Sequence, residues 1–374
     1  MRHIQFLVPV IGLLFLSLSF TAAAQIFTSN DARFSLETIA DGLEHPWSLA
    51  FLPGGSILVT ERAGRLRVIQ NGSLLPKAIE GLPTPAVTGQ GGLFDIVLHP
   101  GFKSNRTLFL SYAQRSNEGM TTRVARAIYE EGKLKDVKVI FEALPRSGGS
   151  RHFGGRMVFD TSGYLYISVG DRGEMDRAQD TRDDAGGVHR ITVNGMPAPG
   201  NPGLDDPGTN NTLFTWGNRN IQGMTNHPET GVIWTHEHGP RGGDEINILA
   251  AGTNYGWPKI TYGIDYSGFP ITQDTEKEGM AQPLHYWDPS IAPSGMAFYT
   301  GSEFPLWRGS LFVGALKLRK LVRLEIQNGQ VIEEEDLLTS LNERIRDVRS
   351  GPNGALWLLT DSPQGKVYRV VPIQ

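Results

Sequence analysis

Apolar residues along this chain come in short runs of about four to eight, broken by Gly, Pro and Asn, which is the signature of strands joined by tight turns. Ser48-Leu49-Ala50-Phe51-Leu52 runs into Pro53-Gly54-Gly55, and Ile57-Leu58-Val59-Thr60 and Leu66-Arg67-Val68-Ile69 follow. The phrase then recurs. Gly92-Leu93-Phe94-Asp95-Ile96-Val97 precedes Leu108-Phe109-Leu110-Ser111-Tyr112, and Gly155-Arg156-Met157-Val158-Phe159-Asp160 precedes Leu165-Tyr166-Ile167-Ser168-Val169-Gly170-Asp171. Gly223-Met224-Thr225, Ser294-Gly295-Met296-Ala297-Phe298 and Ile345-Arg346-Asp347-Val348 open further copies. That makes about six units at a spacing of roughly 45 to 70 residues, as propeller blades with inserted loops give. The pattern predicts an all-β chain, a six-bladed β-propeller of four-stranded antiparallel blades. Its last strand, at Val367-Tyr368-Arg369-Val370-Val371, is expected to close the ring against Arg33-Phe34-Ser35-Leu36. A pair of β-sandwiches is the alternative, but it would not generate a repeated phrase.

The first 24 residues stand apart. Arg2 and His3 precede an apolar run at 6–20, and Thr21-Ala22-Ala23-Ala24 offers small residues for cleavage. This reads as a secretory signal peptide, with 25–374 as one propeller domain in the periplasm or outside the cell. An uncleaved anchor is the alternative. No later run is long and apolar enough to span a bilayer. The net charge is −4 with no basic cluster, which argues against nucleic acid. Cysteine is absent, so thiol chemistry, thiolate metal sites and a covalently attached haem are excluded. Any metal must take oxygen or imidazole ligands, and calcium is the natural candidate.

Chemistry concentrates at Ser150-Arg151-His152-Phe153-Gly154-Gly155-Arg156. Histidine is the side chain that works as a base near neutrality with least tuning. Alone, His152 reads equally as a packed or surface histidine beside a turn. Other candidates have bland readings too. Arg344 and Arg346 could be a solvated pair on one strand face, Lys317 an exposed turn residue, Glu245 a solvated carboxylate, Tyr255 and Trp257 core aromatics, and Gln90 a turn residue.

Several motifs stand together in one order: Gly89-Gln90-Gly91-Gly92-Leu93, His152-Phe153-Gly154-Gly155-Arg156, Gly217-Asn218-Arg219-Asn220-Ile221-Gln222-Gly223, Glu237-His238-Gly239-Pro240-Arg241-Gly242-Gly243-Asp244-Glu245, Asn254-Tyr255-Gly256-Trp257-Pro258, Ala292-Pro293-Ser294-Gly295-Met296, Leu316-Lys317 and Arg344-Ile345-Arg346-Asp347-Val348. With them the chain resembles the soluble quinoprotein sugar dehydrogenases, in particular the bacterial periplasmic aldose sugar dehydrogenases that use pyrroloquinoline quinone (PQQ). The resemblance implies oxidation of the anomeric hydroxyl of an aldose to a lactone, with an external electron acceptor and an isologous dimer. It implies His152 as catalytic base, and Arg219 beside it opposing charge on the reduced quinone. Gln90, Arg219, Asn220, Lys317, Arg344 and Arg346 match residues that hold PQQ, and Tyr266-Ser267-Gly268-Phe269 matches a loop lying on it. Gly239 and Pro240 match carbonyl ligands of a calcium against PQQ, and Glu245 and Tyr255 match a second calcium site. A polyanionic quinone calls for such cations, with Arg able to grip carboxylates bidentately.

Two departures stand out. Relatives among the soluble glucose dehydrogenases carry an acidic residue just before the histidine, where this chain has Arg151. Gly186-Gly187 stands where many have Gly-Lys, and Gln179 is assigned to the same region. Two other functions stay open from sequence: a non-catalytic propeller that binds glycans or a protein, and a calcium-dependent lactonase on a similar frame.

Overall fold

A computed structural model describes residues 25–203, 208, 210–352 and 354–373. The expected signal peptide lies outside the described residues. The chain forms six antiparallel blades, each opened by an inner strand: Pro46–Phe51, Leu93–Leu98, Met157–Phe159, Ile221–Asn226, Pro293–Phe298 and Ile345–Ser350. Each inner strand contacts the next around the ring, and the sixth contacts the first. Four blades are four-stranded, while the third and sixth carry a fifth strand. The sixth closes as the sequence predicts. Arg33–Leu43 pairs with Gly365–Pro372 in the register Phe34–Pro372, Ser35–Val371, Leu36–Val370. Joining the chain's beginning to its end leaves the ring without an open seam.

Alternation along the strands decides what packs. One apolar cluster fills each gap between neighbouring blades. Leu58, Leu66, Leu93 and Leu110 lie between the first and second, and Phe109, Val124, Leu165 and Ile167 between the second and third. Leu359 and Val367 of the sixth blade meet Leu49 and Val59 of the first. Such burial contributes about 25 cal/mol per Å² of apolar surface, and here it is spread evenly around the ring. The axis is therefore left to polar residues and to the ends of the inner strands. The loops at one end of those strands build the site. Among the described residues no helix is long and apolar enough to cross a membrane.

Candidate active site

A cavity of about 300 Å³ opens at the end of the ring where the inner strands begin. Its wall includes Gln90, Asn220, Arg344 and Arg346, contributed by three different blades or the loops before them. Trp47, Phe94 and Phe153 form an apolar side, their rings tilted against one another at 5.6 Å centroid spacing. A flat aromatic ligand suits such a surface.

His152 sits at the edge of this cavity in a left-handed backbone conformation, φ 52°, that L residues adopt only under constraint. Two contacts hold it. Its N–H donates to Gln90 Oε1 at 2.7 Å, and its Nδ1 meets Asp171 Oδ1 at 2.6 Å. Asp171 is itself fixed, accepting from Trp257 Nε1 at 2.9 Å and from the Gly173 N–H at 2.7 Å. A carboxylate only accepts, so Nδ1 carries the proton and Nε2 keeps a free lone pair. Burial lowers the imidazole pKa. Asp171 opposes that shift, and Arg219 adds to it, with net lowering. Burial alone would raise the Asp171 carboxyl, but the His152 hydrogen bond and charge, the Gly173 N–H and Arg219 outweigh it and hold it below its ordinary value. The pair is thus a neutral imidazole against an ionised carboxylate. Gly154 follows with φ 64°, and a Cβ there would lie 2.6 Å from the Ser168 carbonyl, so only glycine lets the loop close.

Arg219 is 6% exposed and makes no ion pair with any described residue; its Nη1 donates to the His238 carbonyl at 3.1 Å. A buried, unpaired guanidinium is costly unless something anionic meets it. Arg344 and Arg346 share one carboxylate, Asp361 Oδ2, at 2.8 and 3.1 Å, and His45 Nδ1 meets the other oxygen at 2.8 Å. Arg62 adds a further guanidinium to the wall. Guanidinium groups outnumber carboxylates here.

A second, smaller space lies behind Arg219, lined by Glu237, His238, Gly239, Glu245, Tyr255 and Thr261 among others. Glu237 is buried and accepts from Asn218 Nδ2 at 2.8 Å and from the Arg219 N–H. Burial pushes its carboxyl up to about 7, against the pull of those donors. Burial and the neighbouring Glu237 raise Glu245 well above the carboxylate range. Two carboxylates that resist ionising side by side are what a bound cation relieves. The Tyr255 hydroxyl is committed, donating to the Ile248 carbonyl at 2.7 Å and accepting from the Ala250 N–H at 3.1 Å, so only its backbone carbonyl remains to offer. The carbonyls of Gly239 and Pro240 likewise accept no hydrogen bond from a described residue. No cluster of three or more His, Asp or Glu side chains suited to a metal exists among the described residues. A cation here must use backbone carbonyls.

Not every expected residue reaches the cavity. Lys317 is exposed and absent from the wall, although its neighbour Leu316 lines it. The loop bearing Tyr266, Ser267, Gly268 and Phe269 stands out into solvent, with Tyr266 70% and Phe269 73% exposed. Gln179 spends its amide on Asn254 and on the Trp257 carbonyl, bracing that turn instead of facing the cavity. Arg151 lies along Gly173, donating to its carbonyl at 3.4 Å, and Asp171 does the orienting that a preceding carboxylate could have done. Asp171, Asp361 and His238 were not singled out from sequence. Asp171 had a signal: continuing the Met157–Ile167 hairpin pairing toward the loop sets the His152 segment opposite Asp171.

Comparison with known proteins gives the chain its family and its structural neighbours. A family model described as "Glucose / Sorbosone dehydrogenase" matches residues 43–369. The aldose sugar dehydrogenase YliI of Escherichia coli K12 is 41% identical over 377 residues, covering 99% of each chain. A crystal structure of the soluble E. coli aldose sugar dehydrogenase in its apo form superposes with a TM-score of 0.88 at 41% identity, over 91% of this chain and 100% of that one. The PQQ-bound aldose sugar dehydrogenase of Streptomyces coelicolor superposes at 0.75 with 27% identity, over 91% and 99%.

Proposed function

The chain belongs to the glucose/sorbosone dehydrogenase family, and from that premise we propose that it oxidises the anomeric hydroxyl of aldoses to lactones, using calcium-associated PQQ. The observation that carries this reading is Arg219, a buried guanidinium without an ion pair to any described residue, near enough to the His152–Asp171 dyad for its charge to act on both, in a space that shares His238 with a cavity whose guanidinium groups outnumber its carboxylates. The cavity suits a flat polyanion: Trp47, Phe94 and Phe153 offer a face, and Arg62, Arg344 and Arg346 offer charge, with Gln90 and Asn220 beside them and Arg219 in the adjoining space. The free carbonyls of Gly239 and Pro240 suit calcium, and so do Glu237, Glu245 and the Tyr255 carbonyl. PQQ, when bound, supplies the hydride acceptor.

The protein's part follows from its geometry. Asp171 fixes the tautomer, so His152 Nε2 takes the proton of the anomeric hydroxyl as the C1–H bond breaks. Lowered below its ordinary value, the imidazole is already neutral at pH 7 and available as base. Arg219 opposes negative charge that develops in the cavity, and its burial strengthens that effect. An external acceptor then removes the electrons. We assign Lys317 and the Tyr266–Phe269 loop to the rim of the same site.

The test is reconstitution. Apo-protein given PQQ and calcium should gain dye-linked oxidation of glucose and other aldoses, and His152→Ala should abolish it. Wild-type protein that stays inactive on every aldose after reconstitution would refute the assignment.

A further inference from the structure

His238 lies on the wall of the large cavity and of the small space behind Arg219. Its Nε2 contacts the Pro293 carbonyl. A carbonyl cannot donate, so Nε2 carries the ring proton and Nδ1 is left as a lone pair. Nδ1 makes no hydrogen bond with any described residue. The bond to Pro293 holds the ring in this setting, and the His238 backbone is pinned on both sides: its N–H donates to the Asn220 carbonyl at 3.1 Å and its carbonyl accepts from Arg219 Nη1 at 3.1 Å.

Around it, three other acceptors of the wall are already engaged. Asp361 serves His45, Arg344 and Arg346, Gln90 Oε1 takes the His152 N–H, and Asn220 Oδ1 takes the Gly154 N–H at 3.1 Å. His238 therefore brings an acceptor to a wall otherwise dominated by donors. A ligand that satisfies the wall must show it an N–H or O–H. Oxidised, ionised PQQ has carboxylates, quinone oxygens and a pyridine nitrogen, which all accept. Its pyrrole N–H is its one donor.

We propose that His238 is a cofactor-recognition residue whose Nδ1 accepts the hydrogen bond of the PQQ pyrrole N–H. The inference rests on the PQQ reading above and goes beyond it by fixing which way round the flat molecule lies. The reversed orientation would set an oxygen lone pair against the Nδ1 lone pair, which repels.

The experiment is a two-by-two titration at saturating calcium, followed by quenching of tryptophan fluorescence. Wild type and His238→Gln are each titrated with PQQ and with PQQ methylated at the pyrrole nitrogen. Gln can still donate to the Pro293 carbonyl but has no acceptor where Nδ1 was. The Gln variant should bind PQQ about tenfold more weakly than wild type, and methylation should cost wild type about tenfold but the variant threefold or less. His238→Asn, which returns an oxygen near the Nδ1 position, should recover most of the affinity and guards against misfolding of the Gln variant. PQQ binding unchanged in His238→Gln, or an equal cost of methylation in both proteins, overturns this inference while leaving the PQQ reading intact. Wild type that binds no PQQ takes down both.

Discussion

Two groups of charged residues sit one step apart along the inner strands, and they are built oppositely. Trp47, Phe94, Gln222 and Arg346 face the cavity, while their immediate successors Ser48, Asp95, Gly223 and Asp347 lie deeper on the axis. In the deeper layer Arg156 meets Asp95 at 3.3 Å and Asp347 at 3.1 Å, and Arg349 meets the same two carboxylates at 3.0 and 2.8 Å. Two guanidiniums and two carboxylates neutralise each other, and Ser48 Oγ completes the set by donating to Asp95. Arg156 also stacks under Trp47 at 4.2 Å, so the layer supports the cavity's aromatic side. At the mouth, the cavity wall carries Arg62, Arg344 and Arg346 against a single carboxylate, Asp361, and Arg219 lies buried in the space just behind it with no ion pair to any described residue. Burial of charge is tolerated in both places, but only the axial layer balances itself. An imbalance retained at a cavity is the mark of a missing anion.

Substitutions can break this comparison. The largest effect belongs to neither layer but to the dyad they frame. Asp171→Asn offers an amide N–H to His152 and favours the wrong tautomer, so turnover should fall by about a thousandfold or more with PQQ affinity unchanged. A modest fall would show that Asp171 does not set the tautomer. Next comes the axial layer: Arg156→Met leaves two buried carboxylates to share the one guanidinium of Arg349, and unfolding stability should drop by about 3 kcal/mol, read as a Tm several degrees lower. Arg219→Met should do the reverse. Removing an unpaired buried cation should leave the apo-protein as stable as wild type or more so, while PQQ affinity falls about ten- to hundredfold. Equal stability losses in the two variants would erase the distinction between the layers.

Calcium should sharpen the picture through pH. Glu237 is raised to about 7 and Glu245 is raised as well, so the folded apo-protein holds protons that the unfolded chain releases near the ordinary carboxylate value. Apo stability should therefore decline as pH rises from about 4.5 to 7, and calcium should flatten that decline by accepting the ionised pair. A Tm that rises over this interval without calcium would contradict the placement of the two carboxylates. The smallest effect is expected at the rim. Lys317 is solvent-exposed, so Lys317→Ala should change PQQ affinity by threefold or less.

The ring was readable in the sequence because each blade repeats one apolar phrase, and the closing strand because 33–36 and 367–371 carry matching alternation. His152, Gln90, Asn220, Arg344 and Arg346 could be picked out together because their motifs occur in one order; the ring brings the last four to one cavity, with His152 bonded to Gln90 beside it. Asp361 was not legible. It lies after the second strand of the last blade, and nothing local shows that its partners are two guanidiniums and an imidazole from two ends of the chain. His238 was hidden for a similar reason: its tautomer is set by the Pro293 carbonyl, 55 residues away. Glu245 looked like half of a solvated pair with Asp244. Instead Asp244 is buried and ties Ser290, Ile291 and Ala292 to the loop, while Glu245 faces Glu237.

The most direct measurement of the mouth's unbalanced charge is a titration of calcium-loaded protein with PQQ, followed by visible absorption, with glucose added at saturation. The account predicts saturable uptake of a single equivalent per chain, loss of that uptake in the Arg219→Met/Arg346→Met double variant, and bleaching of the oxidised quinone when glucose arrives. Absence of saturable uptake, or uptake as tight in the double variant as in wild type, would contradict it.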